Sequence, residues 1–167
     1  MITIRELTHQ DDFHQVGSVY VESWRSAYLG IVPQLYLDKL TSERWSVALS
    51  ADPASSLGMF LDGELIGTSH LCFSREPERE GYGEIVALYL RPEYIGKGYG
   101  RLLMEAAFRK LQADGCEAAC LWALSQNTRA LGFYAHMGLT PSGKTMSEKI
   151  GGVSLSLKEY CVRFTER

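Results

Sequence analysis

The spacing of apolar and polar residues changes period several times along the chain. Ile2-Thr3-Ile4-Arg5 alternates with period two and predicts a short strand. From Asp11 the period lengthens. Phe13, Val16, Tyr20, Trp24 and Ala27 recur every three or four residues, which predicts one apolar helix face, in spite of the helix cost of Gly17. Asp11 or Asp12 can cap its start. Gly30-Ile31-Val32-Pro33 ends it, Leu35-Tyr36-Leu37 begins a second short helix at or after Pro33, and Thr41-Ser42-Glu43 opens a third that runs through Ala48. The middle of the chain reads as β: residues 59–61 and 65–73 flank Asp62-Gly63, a hairpin signal. Residues 74–81 are charged and hold a proline, so they form a loop. Residues 84–90 are an almost unbroken apolar run, which suits a strand covered on both faces, and Glu84 is its one charge.

Past Arg91-Pro92 and a glycine-rich stretch, Leu102, Leu103, Ala106, Ala107 and Leu111 mark a helix that ends near Gly115. Residues 116–124 read as another interior strand. Asn127 can cap a helix holding Ala130, Phe133, Tyr134 and Met137, with Gly138 as its stop. Two strand-like runs, 139–150 and 153–164, follow and meet at Gly151-Gly152. The order is strand, three helices, three strands, helix, strand, helix, two strands. That is an α+β protein built on a mixed sheet, with no repeat or linker, and the expectation is one domain over residues 1–167.

Composition narrows the class. Hydrophobic residues make up 46% and charged residues 22% of the 167, the balance of a soluble globular protein. A chain this long buries roughly 70% of its unfolded surface, so it needs neither disulfide nor metal to fold. The net charge of −3 argues against a nucleic-acid module held mainly by charge. No apolar run approaches the ~20 residues of a membrane span. The N-terminus lacks the layout of a signal peptide, so the expected location is the cytoplasm. Cys72, Cys116, Cys120 and Cys161 sit in apolar segments without paired CxxC spacing and read as buried reduced thiols. His9, His14, His70 and His136 form no convincing metal cluster, and no metal site is expected.

The most informative segment is residues 90–104, LRPEYIGKGYGRLLM. Gly96, Gly98 and Gly100 follow an interior strand and lead into an amphipathic helix. Glycines let several N–H groups converge on one anion, and the helix adds its unpaired N–H groups and the positive end of its dipole. Lys97 and Arg101 supply full charges nearby. The segment therefore reads as a pyrophosphate cradle. The Walker pattern fails, because Gly100 is followed by Arg101-Leu102. The dinucleotide fingerprint is absent at this spacing, which disfavours a nucleoside triphosphatase or an NAD enzyme.

This segment resembles the acetyl-CoA signature of the GNAT superfamily of N-acetyltransferases. The stretch 121–139, LWALSQNTRALGFYAHMGL, resembles the family's second motif, with Asn127, Arg129, Ala130, Tyr134 and Gly138 in register. WRSAYLGIVP at 24–33 and KIGGV at 149–153 are similar to bacterial single-domain members. The resemblance covers nearly the whole chain. It implies a central mixed, mostly antiparallel sheet with helices on both faces, and acetyl-CoA as cosubstrate. It also implies cofactor contacts from the Leu88 and Leu90 main chain, from Ile95, Gly96, Lys97, Gly98, Tyr99, Gly100 and Arg101, and from Asn127, Ala130 and Tyr134. The family usually places Arg or Gln where this chain has Ile95. The polar side chain is lost there, and the main-chain N–H is what can reach phosphate. A homodimer is a family-level expectation.

Acetyl transfer from a thioester to an amine needs a base for the ammonium, donors for the carbonyl oxygen and an acid for the departing thiolate, but no covalent enzyme intermediate. Tyr134 is the candidate acid, since its phenol is protonated at neutral pH and the resemblance faces it towards the sulfur. Glu84, the lone charge of its strand, is the candidate base acting through a water, because desolvation raises a carboxylate's affinity for a proton. From the family, the carbonyl donor is expected to be the main-chain N–H near Leu88, where the strand bulges. Trp24 and Tyr28, one turn apart, and Tyr160 in the last strand are expected to wall the acceptor site, where rings can hold a cationic amine. The acceptor is a small-molecule amine or a protein amino group, with no nucleic-acid or membrane partner. The rival reading is a non-catalytic acyl-CoA-binding sensor or interaction domain of the same fold.

Overall fold

Asp12 starts the first helix: its carboxylate accepts the amides of His14 and Gln15, two of the donors that a helix N-terminus leaves unpaired. The computed structural model describes residues 1–165. In chain order it forms β1 (Ile2–Glu6), α1 (Phe13–Ala27), α2 (Gln34–Asp38), α3 (Glu43–Ala51), β2 (Ser56–Leu61), β3 (Glu64–Phe73) and β4 (Tyr82–Leu90). After these come α4 (Tyr99–Ala113), β5 (Ala118–Leu124), α5 (Thr128–His136), β6 (Thr140–Ile150) and β7 (Val153–Arg163). The order matches that expected from periodicity, and β4 begins two residues before the apolar run. Gly17 is required by packing, because a Cβ there would stand 2.4 Å from the Ser42 carbonyl oxygen at the start of α3.

The seven strands form one sheet in the order β1-β2-β3-β4-β5-β7-β6. Every neighbouring pair is antiparallel except β4 and β5, which run parallel. Helices cover both faces. On one, α4 buries Leu103, Met104, Ala107 and Leu111 against Met59, Ile66, Leu71, Ile85 and Leu121. Each such leucine contributes about 1.5–3 kcal/mol through the surface it removes from water. On the other face, Val16, Val19 and Tyr20 of α1 meet Leu65 and Ala87. No helix among the described residues is long and apolar enough to cross a membrane.

Two irregularities in the sheet position the site. The β4–β5 ladder has only three rungs, Tyr82–Ala118, Gly83–Ala119 and Glu84–Cys120. Beyond Glu84 the two strands share no ladder, and β5 pairs with β7 along its whole length instead. The second irregularity is a bulge in β4. His70 of β3 faces Ala87 while Leu71 faces Ile85, so Val86 is an extra residue without a partner. The bulge lies two residues before Leu88, and it turns both Val86 and Ala87 towards the α1 face. Leu88 and Leu90 then project to the α4 side and Tyr89 to the α1 side.

Candidate active site

The glycine loop follows a single 3-10 turn, Pro92–Tyr94. That turn corrects one expectation. The Ile95 amide donates to the Pro92 carbonyl at 3.2 Å, so it is not free for a phosphate. The cradle begins at Gly96. Gly96 and Gly98 adopt φ of 81° and 87°, in the left-handed region that L side chains avoid, and Gly98 is the N-cap of α4. The amides of Tyr99, Gly100 and Arg101 open the helix, where intrahelical acceptors run out. Among the described residues, none of the amides from Gly96 to Arg101 donates to a backbone carbonyl outside α4. Gly100 differs from its two neighbours: its φ is not positive, and a Cβ there would sit 3.4 Å from the Phe133 ring.

Of the two charges expected at the loop, Arg101 is engaged elsewhere. Lys97 lies over the Tyr94 ring, 5.5 Å from its centroid, whereas Arg101 is paired with Glu105 at 2.8 Å one turn along α4. Arg129 of α5 comes to the loop instead: a Cβ on Gly96 would lie 3.8 Å from its guanidinium Nη2. Arg129 stood in the second motif, and only the approach of α5 to the loop reveals its neighbour. A cluster of unpaired amides beside Lys97 and Arg129 fits a diphosphate.

Asn127 caps α5 through its side-chain oxygen, which accepts the Ala130 amide at 3.3 Å. The Ala130 amide is therefore spent on the cap, and only the methyl of Ala130 is left to touch a ligand. No residue of α5 is fully buried, and Leu131, Phe133 and Tyr134 rest half-buried on the core. Across from it, the Arg91 amide donates to the Ile66 carbonyl of β3 at 2.8 Å. Backbone groups alternate along a strand, so the amides of Leu88 and Leu90 point away from β3, to the side from which β5 has departed. The Leu90 carbonyl on that side accepts the Ser23 hydroxyl of α1 at 2.6 Å.

On the α1 face the splay opens into a cavity of about 680 Å³ walled by Tyr20, Trp24, Tyr28, Trp45, Tyr89 and Trp122. Trp24 packs edge-on to Tyr28 with centroids 4.9 Å apart, lies 5.6 Å from Trp45, and donates its indole N–H to the Tyr89 hydroxyl at 3.2 Å. Burial, and then the charge of Tyr89, push the Tyr28 and Tyr134 phenols well above the ordinary tyrosine range. Tyr28 and Tyr89 line this cavity, whereas Tyr134 packs beside Phe133 against the α4-side core. Trp24 and Tyr28, expected at the acceptor site, both line this cavity. Tyr160 does not: opposite Leu121 in the β5–β7 ladder, it points into the α4-side core, 8% exposed. Tyr20, Trp45, Tyr89 and Trp122 are walls that periodicity alone did not single out. Another hollow, of about 890 Å³, lies between Phe108 and Phe164 near the C-terminal half of α4, away from these groups.

Glu84 lines the same cavity at the last rung of the β4–β5 ladder and is 3% exposed. Arg75, from the charged loop before β4, holds both of its oxygens. Cys72, Glu84, Cys120 and Cys161 occupy one row of register across β3, β4, β5 and β7. All four cysteines are free thiols, and Cys120 and neighbouring burial push the Cys161 thiol up. His70, also on the cavity wall, bonds Ser56 at 3.1 Å, and burial lowers its affinity for a proton.

Residues 14–139 match the acetyltransferase (GNAT) family. The chain is 30% identical over 140 residues to the uncharacterised N-acetyltransferase YuaI of Bacillus subtilis, covering 81% of this chain and 79% of that one. It is 29% identical over 146 residues to a spermidine N(1)-acetyltransferase of Thermoplasma acidophilum, covering 82% and 87%. Among solved structures, an N-acetyltransferase of Thermoplasma acidophilum in complex with coenzyme A superposes with a TM-score of 0.73 at 25% identity, over 98% of this chain and 99% of that one.

Proposed function

Because this chain belongs to the GNAT family of acetyltransferases, with acetyl-CoA as the cosubstrate, we propose that it moves the acetyl group directly to a primary amine, with no covalent enzyme intermediate. One observation carries this reading. β4 and β5 share no ladder beyond Glu84, with the glycine loop following the end of β4 and an aromatic cavity, lined by Tyr28 and Tyr89, on the α1 face of the same splay. Two substrates can meet there, and neither needs a residue of the chain as carrier.

Gly96, Gly98 and the amides through Arg101 hold the diphosphate, with Lys97 and Arg129 beside them. The Leu88 amide, just past the Val86 bulge and unpaired with β3, donates to the carbonyl oxygen as negative charge grows on it. Such a donor is worth about 10²–10³ in rate. Tyr134 keeps its proton at neutral pH and gives it to the departing thiolate. Glu84 takes the amine's proton through water once Arg75 releases one of its oxygens. The aromatic walls of the cavity suit a small-molecule amine, and the spermidine acetyltransferase among its relatives is consistent with this.

A second reading, an acyl-CoA-binding domain without turnover, is favoured by the Arg75 clasp on Glu84, which leaves the candidate base engaged. Steady-state turnover of acetyl-CoA with a panel of primary amines separates the two. Intersecting initial-rate patterns, with acetylated amine and free thiol formed in equal amounts, support direct transfer. Binding of CoA without turnover on any amine supports the sensor.

A further inference from the structure

The ionic groups lining the cavity are not equally satisfied. Arg75 is held by Glu84, and Glu76 has Lys144 at 3.9 Å. Arg44 of α3 has no carboxylate within ion-pair distance among the described residues. Its guanidinium lies over the Tyr36 ring at 5.3 Å and the Trp45 ring at 5.5 Å. Its planar fork of N–H donors matches a two-oxygen anion.

A run of rings connects Arg44 to Tyr28: Trp45, under its guanidinium, lies 5.6 Å from Trp24, and Trp24 4.9 Å from Tyr28. Glu148 of β6 also lines the cavity and has no cation within ion-pair distance among the described residues. The cavity therefore offers a cation without an ion-pair partner, a run of aromatic rings leading from it to Tyr28, and a carboxylate from another strand.

We propose that the acceptor is an ω-amino carboxylate. Its ammonium end lies by Tyr28 and Glu148, its methylenes lie on Trp24 and Trp45, and Arg44 binds its carboxylate. This rests on the acetyltransferase reading and adds the acceptor's class to it. A diamine of the same length would bring its second charge against Arg44, where like charges repel. Because Arg44 is exposed, the preference weakens as salt screens the pair.

Rates of acetyl transfer to aminohexanoate, hexylamine and hexamethylenediamine, in the wild type and in Arg44→Ala and Arg44→Lys, test this. In the wild type, kcat/KM for aminohexanoate is expected to exceed that for hexylamine by about threefold to fivefold, the upper range for an exposed charge pair, and the diamine to be the poorest of the three. The ratio of aminohexanoate to hexylamine collapses towards one in Arg44→Ala and at high salt, and Arg44→Lys keeps part of it. Hexylamine is the internal reference, so a loss of fold lowers both rates and leaves the ratio where it was. A wild-type preference for the diamine, or a ratio unchanged in Arg44→Ala with hexylamine still turned over, overturns the proposal. If other amines are acetylated and these three are not, the acceptor class is wrong and the acetyltransferase reading stands. If no amine is acetylated, that reading fails first.

Discussion

Arg75 and Glu84 form a two-pronged ion pair: Nε donates to one carboxylate oxygen at 3.2 Å and Nη2 to the other. The two partners differ in surroundings, with the Glu84 side chain 4% exposed and that of Arg75 67% exposed. The carboxylate is part of the sheet at the point where β4 and β5 part, and the guanidinium is a clasp laid over it from a loop.

If Glu84 is the base, the clasp must be dispensable for chemistry and the carboxylate must not. Glu84→Gln is expected to lower kcat by about 10²-fold or more. Arg75→Ala is expected to keep kcat within a few-fold. It should cost about 1–3 kcal/mol of stability by leaving a buried carboxylate unpaired, a penalty softened by the exposure of the arginine. Turnover with saturating substrates and the urea midpoint check both. Full turnover in Glu84→Gln would make the pair structural.

Tyr134→Phe keeps the ring and removes the proton. It is expected to lower kcat by about 10²-fold or more while the Kd for CoA stays within about twofold. Parallel losses in kcat and affinity would show that the hydroxyl positions the cofactor and is not the acid.

The glycines of the loop are expected to separate by conformation. Gly98→Ala forces a Cβ into a left-handed backbone, a strain of about 1–2 kcal/mol, and turns the amides from their common focus. A rise of about tenfold or more in the Kd for CoA is expected. Gly100→Ala keeps a helical φ and meets Phe133 at ordinary contact distance, so its effect on Kd is expected to be smaller. Equal effects would contradict the cradle as drawn.

Burial holds the phenols of Tyr20, Tyr28, Tyr89 and Tyr134 protonated beyond the range of a free tyrosine. The unfolded chain releases those protons near pH ~10 and the folded chain does not. Their contribution is therefore complete below about pH 10 and is lost as the pH rises beyond it, by up to about 1.4 kcal/mol per pH unit for each group. The urea midpoint should hold steady to about pH 9 and then fall, less steeply in Tyr20→Phe. A midpoint unchanged to about pH 11 would contradict the buried tyrosine group.

Much of the fold was legible because it depends on local chemistry. Asp12 and Asn127 cap the helices they precede, and Asp62-Gly63 turns the hairpin between β2 and β3. Tyr160 could have been placed correctly by parity. Along β7 it alternates with Leu155 and Leu157, which face the cavity side, and so must face the other way. The turn at Pro92 likewise signals a bond that removes the Ile95 amide. Other features carry no local signal. The three-rung ladder at Glu84–Cys120, the extra residue at Val86 and the clasp of Arg75 on Glu84 arise from how distant segments dock. The same holds for Trp45 and Tyr89, whose spacing is that of ordinary core residues until α3 and β4 meet across Tyr20.

An anion cradle at the mouth of the splayed sheet is what commits the protein to CoA, and a calorimetric titration of the folded protein with CoA and with pantetheine, which lacks the diphosphate, tests it directly. The expected result is one CoA per chain, bound about a hundredfold or more tighter than pantetheine, the difference being supplied by charge-assisted bonds from the loop. Equal affinity for the two, or no heat with CoA, would contradict it.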